Sequence, residues 1–398
     1  MQILVHDYGG YALCIALSRA LAAQGHVVHH VYCGSIANTG QGPLSIQPDD
    51  PASLRIYSVN LEESVDKYNY LKRWLQERAY GKALVAYAKT LQPDVVLSGN
   101  APLDAQHRLQ RWAKRQHIPF VFWLQDVIGV AASHVLRKKL GVIGRAIGAY
   151  YISVERRLLQ QSEHVVAITG DFAPLMDEWG IQDTQWSVIE NWAPLHELPA
   201  RPKDNAWSRT QGLADRTVLM YTGNLGMKHN PALLIKLAKQ VAPQQAEVVV
   251  VSEGLGANWL RERIKAEGIT NLTLLGFQPY DALPDMLSTA DVLVALLEES
   301  AGQYSVPSKV LSYLCAARPI LLSVPPANLA ARVVSEEGAG LVAAPDDERA
   351  FISHATTLLG DAEQRHVMGR AGRAYAEAHF NLEQIAQRFE TIFRSVQT

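Results

Sequence analysis

The composition is that of an ordinary globular protein. The chain has 398 residues, of which 48% are hydrophobic and 19% are charged, and its formal net charge is -2. This length predicts two or three domains, and the composition excludes a disordered or fibrous protein. The near-neutral charge argues against a general affinity for nucleic acid, so no nucleic-acid partner is expected.

The cysteines and the apolar runs indicate the compartment. Cys14, Cys33 and Cys315 lie far apart in the sequence, which predicts reduced, buried thiols rather than a disulfide framework. The N-terminus leads directly into a predicted strand, without the basic and apolar regions of a signal peptide. No apolar run approaches the roughly 18 residues that span a bilayer. We therefore expect a soluble, cytoplasmic protein.

The first half of the chain, residues 1–195, alternates predicted strands and helices. A strand at 3–6 and a turn at 7–10 precede a helix over 11–24, which Gly25 ends as a C-cap. Further short apolar runs predict strands at 27–32, 95–98, 120–124 and 164–168. This alternation predicts a parallel sheet with helices on both faces.

The second half begins after a change in composition. Residues 196–215 are rich in Pro, Asn, Lys, Arg and Asp and lack apolar periodicity, which predicts a linker. A second α/β domain is predicted over 216–379, and a last helix within 380–398 is expected to pack back on the first domain. Two doubly wound domains would then face each other across a cleft, with ligands at the carboxyl ends of the strands. The strands predicted in the second domain lie at 218–221, 246–251, 272–275, 292–297, 320–323 and 340–342.

Two segments place a lysine where a buried strand gives way to a helix. After the strand at 292–297, a small polar turn leads to Lys309 at the start of a helix. After the strand at 218–221, Gly223 and Gly226 precede Lys228. Backbone N–H groups at a helix start and an ammonium group together form a phosphate site. The alternative for Lys228 is a tight turn with a solvated lysine.

These segments resemble the donor site of retaining glycosyltransferases of family 4, which have the GT-B fold. Residues 307–319 are similar to their P-S-K-x-x-E-Y-x-A-A-G-x-P pattern, and residues 221–228 to their Y-x-G-x-L-x(2–3)-K pattern. Segments 98–103, 123–126 and 190–194 resemble a branch that transfers fucosamine-like sugars in exopolysaccharide and O-antigen synthesis. The resemblance covers nearly the whole chain.

The resemblance implies which residues contact a nucleotide-sugar donor. Lys228 and Lys309 would contact its diphosphate, and Ser312 would stand where the family has a glutamate ligand of the ribose. Each position also has an ordinary alternative, such as a turn glycine or a core phenylalanine. The residues implied to bind the donor are Gly9, Gly10, Gly223, Asn224, Ser252, Gly254, Gly276, Phe277, Glu299, Ser305, Val306, Pro307, Ser308 and Ser312.

The resemblance also bears on the catalytic base. Gln125 and Asp126 occupy the place of the family's common His-Asp pair. Because Gln125 cannot exchange a proton at neutral pH, the base would be Asp126, or else His6 or Asp7. Asp126 as a loop carboxylate with purely local hydrogen bonds is the alternative.

Neither a metal nor a cofactor is expected. The chain has no D-x-D motif and no His/Cys cluster at ligand spacing. The lysines and helix N-termini would instead stabilise the diphosphate. The turn at 252–256 is also not a dinucleotide fingerprint, because the third glycine of G-x-G-x-x-G is missing.

Residues 133–159 combine basic, apolar and aromatic side chains in one helical stretch. Six basic residues are opposed there by one acidic residue, Glu155. This pattern predicts a peripheral contact with the inner face of the plasma membrane. The alternative is a pair of helices that pack on the first domain with solvated basic faces.

The leading interpretation is a retaining glycosyltransferase. It would move a sugar from a nucleotide-diphosphate sugar, with UDP favoured, to a glycan or a polyprenyl-diphosphate-linked acceptor in bacterial cell-surface polysaccharide synthesis. Two alternatives stay open at this point, a sugar-nucleotide epimerase of the same fold and a non-catalytic two-lobed sugar-binding protein. A NAD-dependent dehydrogenase is disfavoured because no turn completes the glycine fingerprint.

Overall fold

The chain forms two compact units. The computed structural model describes residues 1–36, 41–66, 69–299 and 306–397, except for the side chain of Lys228. The first unit comprises Met1–Asn191 and Leu382–Thr398, and the second comprises Trp192–Asn381.

A parallel sheet of seven strands forms the centre of the first unit. Its strand order is β3-β2-β1-β4-β5-β6-β7. Strands β4, β5 and β6 are buried at every position, as expected for a parallel sheet covered by helices on both faces. The strands are β1 (Gln2–Asp7), β2 (Val27–Cys33), β3 (Leu54–Val59), β4 (Val95–Gly99), β5 (Phe120–Leu124), β6 (His164–Ala167) and β7 (Trp186–Val188).

The C-terminal helix belongs to this unit and packs on its first helix. Gln24 donates a hydrogen bond from Nε2 to the carbonyl of Glu383, 3.1 Å away. The ring of Phe389 meets that of Trp123 edge-on, with 5.1 Å between centroids. The helices of this unit are α1 (Ala12–Ala23), α2 (Tyr70–Ala88), α3 (Leu103–Arg115), α4 (Ile128–Gln160), α5 (Ala173–Trp179) and, at the C-terminus, Leu382–Ser395.

Helix α4 is a hairpin rather than one rod. Gly141 has φ 55° and ψ -122°, which reverses the chain between two helical arms. The arms touch through glycines. A Cβ added to Gly144 would lie 2.0 Å from the carbonyl oxygen of Leu136, and one added to Gly148 would lie 2.4 Å from Oγ of Ser133. We call residues 128–160 the α4 hairpin. Among the helices that the structure describes, none combines the length and the hydropathy of a membrane-spanning segment.

The second unit repeats the parallel α/β arrangement with six strands, so the predicted fold class is confirmed. Its strand order is β10-β9-β8-β11-β12-β13. The strands are β8 (Thr217–Thr222), β9 (Ala246–Val251), β10 (Leu272–Leu275), β11 (Val292–Leu296), β12 (Ile320–Ser323) and β13 (Gly340–Ala343). The helices are α6 (Ala206–Thr210), α7 (Pro231–Val241), α8 (Leu255–Glu267), α9 (Leu283–Thr289), α10 (Lys309–Cys315), α11 (Leu329–Glu336), α12 (Glu348–Gly360) and α13 (Ala362–His379).

The segment predicted as a linker, 196–215, is part of the second unit and contains α6. Asn205 caps this helix, because its Oδ1 accepts the backbone N–H of Ser208 at 2.9 Å. The same side chain donates to the carbonyl of Asp285 at 3.0 Å, which fixes α6 against α9. The segment predicted as a linker therefore contains a short helix and packs within the second unit. A helix of five residues is too short to show apolar periodicity.

Candidate functional site

The second sheet brings four strand ends together. Because β10, β9, β8 and β11 are neighbours, the turns that follow β10, β9 and β8 lie side by side at the carboxyl edge. Half of the fourteen residues implied to bind a donor lie in these turns or on α10, which follows β11 along the chain. The sheet topology thus collects segments that are far apart in sequence.

Tyr313 fixes α10 against this edge. Its hydroxyl accepts the backbone N–H of Thr222 at 2.9 Å and donates to the carbonyl of Val294 at 3.2 Å. The side chain is fully buried, and burial raises the pKa of its phenol to about 12. The hydroxyl therefore stays neutral and joins α10 to both β8 and β11. Tyr313 was not among the predicted site residues. In the sequence its signal is a tyrosine about one turn after the start of the helix.

Lys309 lies at the start of α10 and points to the turn after β8. Its Nζ is 3.5 Å from the ring centroid of Tyr221. A Cβ added to Gly223, whose φ is +91°, would lie 3.7 Å from the same nitrogen. The aromatic face attracts the ammonium, and the missing side chain at Gly223 leaves the backbone open beside it. A cation and a glycine turn from separate segments thus meet at the sheet edge.

The turns after β8 and β9 pack directly on each other. Gly254 has φ +111°, and a Cβ added there would lie 2.6 Å from Oδ1 of Asn224. The backbone N–H of Leu225 donates to the carbonyl of Glu253 at 3.2 Å. Ser252 is buried, and its hydroxyl donates to the same carbonyl, also at 3.2 Å. Ser252 therefore has a structural role in shaping the turn.

The turn after β10 lies next in the row. A Cβ added to Gly276 would be 3.8 Å from Oε1 of Glu253. Gln278 donates from Nε2 to the carbonyl of Gly276 at 2.9 Å and accepts the indole N–H of Trp207 at 3.1 Å. Phe277 is half-buried, so its ring is partly available at the surface of this edge.

The other predicted donor residues of the second unit lie between the end of β11 and the middle of α10. Ser312 is half-buried on α10, three residues after Lys309 and so on the same face of the helix. Ser308 and Glu299 are exposed. Val306 and Pro307 are half-buried, and the Pro307 carbonyl accepts the backbone N–H of Val310 at 3.0 Å.

Two predicted positions lie partly or wholly outside the described residues. Ser305 is not described, and neither is the side chain of Lys228. The backbone of Lys228 belongs to a short 3-10 helix, Met227–His229, which follows the turn after β8. The convergence of the two lysines on one diphosphate stays a prediction. Lys309 itself lies at the predicted edge.

The predicted glycine loop of the first unit is held from two sides. The carboxylate of Asp7 accepts the backbone N–H groups of Gly9 and Tyr11. From the other side, the carbonyl of Gly10 accepts the N–H of Gly42 at 3.1 Å. Both glycines are buried, and Gly10 has φ +67°. The loop is therefore a fixed turn, as expected if its glycines serve only the turn. A contact of Gly9 and Gly10 with the donor stays a prediction.

The three candidate bases differ in access. His6 is buried with one ring nitrogen 2.8 Å from Oγ of Ser98 and the other 3.0 Å from the hydroxyl of Tyr80. Burial lowers the pKa of His6 to about 3 and raises that of Asp7 to about 7. Asp126 follows β5 and is exposed. Because only Asp126 can meet a substrate from solvent, the geometry favours it over His6 and Asp7.

An amide pair beside Asp126 was missed in the sequence. Gln125 and Asn191 exchange hydrogen bonds through their side-chain amides, at 3.2 and 2.6 Å. The pair joins the end of β5 to the segment after β7. Gln125 therefore positions the start of the Asp126 turn rather than acting on a proton. No sequence signal joins residues 66 positions apart.

No cluster suited to a metal occurs in the described ranges. There, no three His, Cys, Asp or Glu side chains come together in an arrangement that could hold an ion. Asp126 belongs to the first unit and Glu299 to the second. The expectation that no metal is needed stays a prediction.

Removing the Tyr313 hydroxyl should loosen α10. In Tyr313→Phe the buried N–H of Thr222 loses its acceptor, and leaving such a group unsatisfied costs about 2 kcal/mol. We expect the free energy of unfolding of the protein to fall by that amount, measured by urea unfolding. Tyr375→Phe, on α13, is the control, because Tyr375 is not part of the donor-edge network described above. Equal stability of the Tyr313 variant and the wild type would contradict the role assigned to this hydroxyl.

Two family models match the chain, one on each unit. The model described as "Glycosyl transferases group 1" matches residues 204–375, and the one described as "Glycosyl transferase 4-like domain" matches residues 10–192. Together they cover most of the chain. The chain belongs to the GT-B glycosyltransferases of family 4, as its sequence resemblance predicted.

Two curated relatives are each about a quarter identical to this chain, over about half of their own length. YtcC of Bacillus subtilis, named as a glycosyltransferase, is 23% identical over 224 residues, which are 53% of each chain. WcaI of Escherichia coli, named as a colanic acid biosynthesis glycosyl transferase, is 24% identical over 44% of this chain and 45% of its own. The chain thus matches about half the length of these relatives.

Solved structures with the same fold cover the whole chain. Sucrose-phosphate synthase from Thermosynechococcus elongatus has a TM-score of 0.74 at 18% identity, over 100% of this chain and 99% of its own. HepE of Anabaena, in complex with UDP and glucose, has a TM-score of 0.72 at 14% identity, over 99% of this chain and 100% of its own. At these identities the likeness concerns the fold.

Proposed function

We propose that the protein is a retaining glycosyltransferase. It transfers a sugar from a UDP-sugar to a glycan or polyprenyl-diphosphate-linked acceptor in bacterial cell-surface polysaccharide synthesis. The observation that carries this proposal is Lys309, held over Tyr221 beside the open backbone of Gly223 in a chain of this family. A cation and exposed backbone at a strand end suit a diphosphate.

The donor would lie along the carboxyl edge of the second sheet. Its diphosphate would contact Lys309, Lys228 and the turn at Gly223. Its nucleoside would run past Gly254 and Gly276 toward Phe277, and Ser312 would hydrogen-bond the ribose. UDP is the favoured nucleotide because HepE, which shares the fold, is known in complex with UDP and glucose.

In the reaction, the bond between the sugar's anomeric carbon and the diphosphate oxygen breaks, and the acceptor oxygen bonds to the same face of that carbon. Negative charge grows on the leaving diphosphate, where Lys309 stabilises it more strongly than in the ground state. The acceptor's proton passes to Asp126 or to a leaving-group oxygen. Because no carboxylate is assigned as a covalent nucleophile, attack on the front face is the proposed route to retention.

The acceptor class is inferred from the relatives and the first unit. WcaI is named as a colanic acid biosynthesis glycosyl transferase. A polyprenyl-linked acceptor would keep the enzyme at the inner face of the plasma membrane, where residues 133–159 would supply a contact. No cofactor and no metal take part in the proposed reaction.

A nucleotide panel tests the donor proposal. UDP-sugars should raise the unfolding temperature more than GDP- or TDP-sugars, since a ligand at a hundred times its dissociation constant adds about 2.7 kcal/mol. EDTA should leave both the shift and the turnover unchanged. Conversion of a UDP-sugar without any acceptor would instead indicate an epimerase. Absence of a shift with every nucleotide would contradict the proposal.

A further inference from the structure

The distal half of the α4 hairpin stands away from the core of the first unit. Its base is packed, since Val154, Leu158 and Leu159 are buried. Residues 137–143, by contrast, are all exposed, and Gly144 and Gly148 are buried only because the other arm covers them. The hairpin thus has an anchored base and a projecting tip.

The tip carries apolar side chains that the fold leaves uncovered. Val142 is 77% exposed and Ile143 is 68% exposed, directly after the reversal at Gly141. In the described part of the chain, exposed large hydrophobic residues concentrate in two stretches, 70–75 and 128–150. Those residues are Tyr70, Leu71, Leu75, Ile128, Val135, Leu140, Val142, Ile143, Ile147 and Tyr150.

The two stretches form one surface. Lys139, near the tip of the first arm, donates from Nζ to the hydroxyl of Tyr70 at 2.9 Å and lies 4.9 Å from the centroid of its ring. Tyr70 begins α2, and Leu71 beside it is 68% exposed. The sequence pattern indicates only the hairpin. The tertiary structure adds the start of α2, which we include with residues 134–150 as the tip surface.

The charge around this surface is positive. Arg137, Lys138 and Arg145 flank the apolar tip, and in the part of the chain described here no ion pair joins them to a carboxylate. The acidic residue of the hairpin, Glu155, lies at the base, where its carboxylate accepts the N–H groups of Ile128 and Gly129 at 2.8 and 2.7 Å. Residues 134–150 therefore contribute no negative charge to repel an anion, and at the start of α2 the carboxylate of Glu63 is paired with Lys72.

We propose that the tip surface inserts into the headgroup region of an anionic phospholipid bilayer. Apolar residues at the tip would enter the acyl boundary while the flanking bases meet phosphates, and Tyr70 and Tyr150 would lie at the interface. Charge complementarity and the projecting shape favour this occupant over a second copy of the chain, whose tip would be equally positive. The proposal extends the membrane contact proposed above for residues 133–159, and it does not depend on the transfer reaction.

The hairpin is built to hold this shape without lipid. The carboxylate of Glu155 caps the first arm, and the glycine contacts lock the arms together. Docking therefore requires no folding of the hairpin, and the surface is present in the free protein. Such preorganisation predicts binding by the full chain without nucleotide or acceptor.

Sedimentation with vesicles tests the proposal on the full chain. The protein should bind vesicles of phosphatidylcholine and phosphatidylglycerol, bind less with added salt, and bind phosphatidylcholine alone weakly. Val142→Ser with Ile143→Ser should weaken partitioning about a hundredfold, because two large side chains lose their burial. Arg137→Gln with Lys138→Gln should weaken it about thirtyfold on the anionic vesicles only.

The control is Val367→Ser, an apolar residue on α13 that is also about half exposed, which should bind like the wild type. All variants should unfold at the wild-type temperature, since the changed side chains are exposed. A wild-type protein that ignores anionic vesicles, or a Val142/Ile143 variant that binds them equally, would overturn the proposal. If the Val142/Ile143 variant lost self-association and kept vesicle binding, a second copy of the chain would be the occupant, and the proposal would also be overturned. A failed nucleotide shift with intact vesicle binding would contradict only the proposed reaction.

Discussion

Lys309→Ala should lower sugar transfer by about a hundredfold, the typical loss when one group that stabilises a developing anion is removed. The ammonium lies beside Gly223 and over the ring of Tyr221, where it can meet a leaving diphosphate. Its contribution should appear mainly in kcat, because the charge on the diphosphate grows in the transition state. Steady-state kinetics with saturating donor measures this effect.

Two further variants sharpen the result. Lys309→Arg keeps the charge but changes its shape and reach, so it should recover part of the lost rate. Lys239→Ala removes an exposed lysine on α7 that pairs with Glu267, and it should transfer sugar at the wild-type rate. Wild-type turnover by Lys309→Ala would remove this residue from the mechanism. It would leave the family assignment intact.

Gly254→Ala should weaken donor binding by tenfold or more. A side chain at φ +111° costs about 1–3 kcal/mol in backbone strain, and its Cβ would lie 2.6 Å from Asn224 and 3.2 Å from the carbonyl of Leu225. Relief of these contacts would push apart the turns after β8 and β9, which form the proposed diphosphate and nucleoside contacts. Isothermal titration with UDP measures the change in Kd.

The matched control lies at the other end of the same helix. Gly268 ends α8 with φ +63°, and a Cβ added there would meet nothing within 4 Å. Gly268→Ala should therefore lower stability by about 1 kcal/mol, from the left-handed backbone alone, and should leave the Kd for UDP unchanged. Equal affinity of both variants would show that the turn at Gly254 is not part of the donor site.

The sequence by itself determined the fold class, and its local patterns predicted the turns that the second sheet brings to one edge. Strands β1, β5 and β8 are short apolar runs followed by turns that contain Gly, Asp or Asn, and such a pattern is local. The lysine at 309 was recognisable because its motif is contiguous. The five-residue helix α6, by contrast, was missed because its capping by Asn205 and its packing on α9 leave no periodic pattern in the sequence.

Only the tertiary structure decided which of these residues can act together. Burial favours Asp126 over His6 and Asp7 as the base, because the polar atoms of His6 and Asp7 are engaged in hydrogen bonds with Ser98, Tyr80, Gly9 and Tyr11. Parallel strand order placed Gly223, Gly254 and Gly276 in one row, and the reversal at Gly141 turned one basic helix into a projecting hairpin that meets α2. Such contacts join residues distant in sequence, so their energy depends on packing that no local pattern encodes.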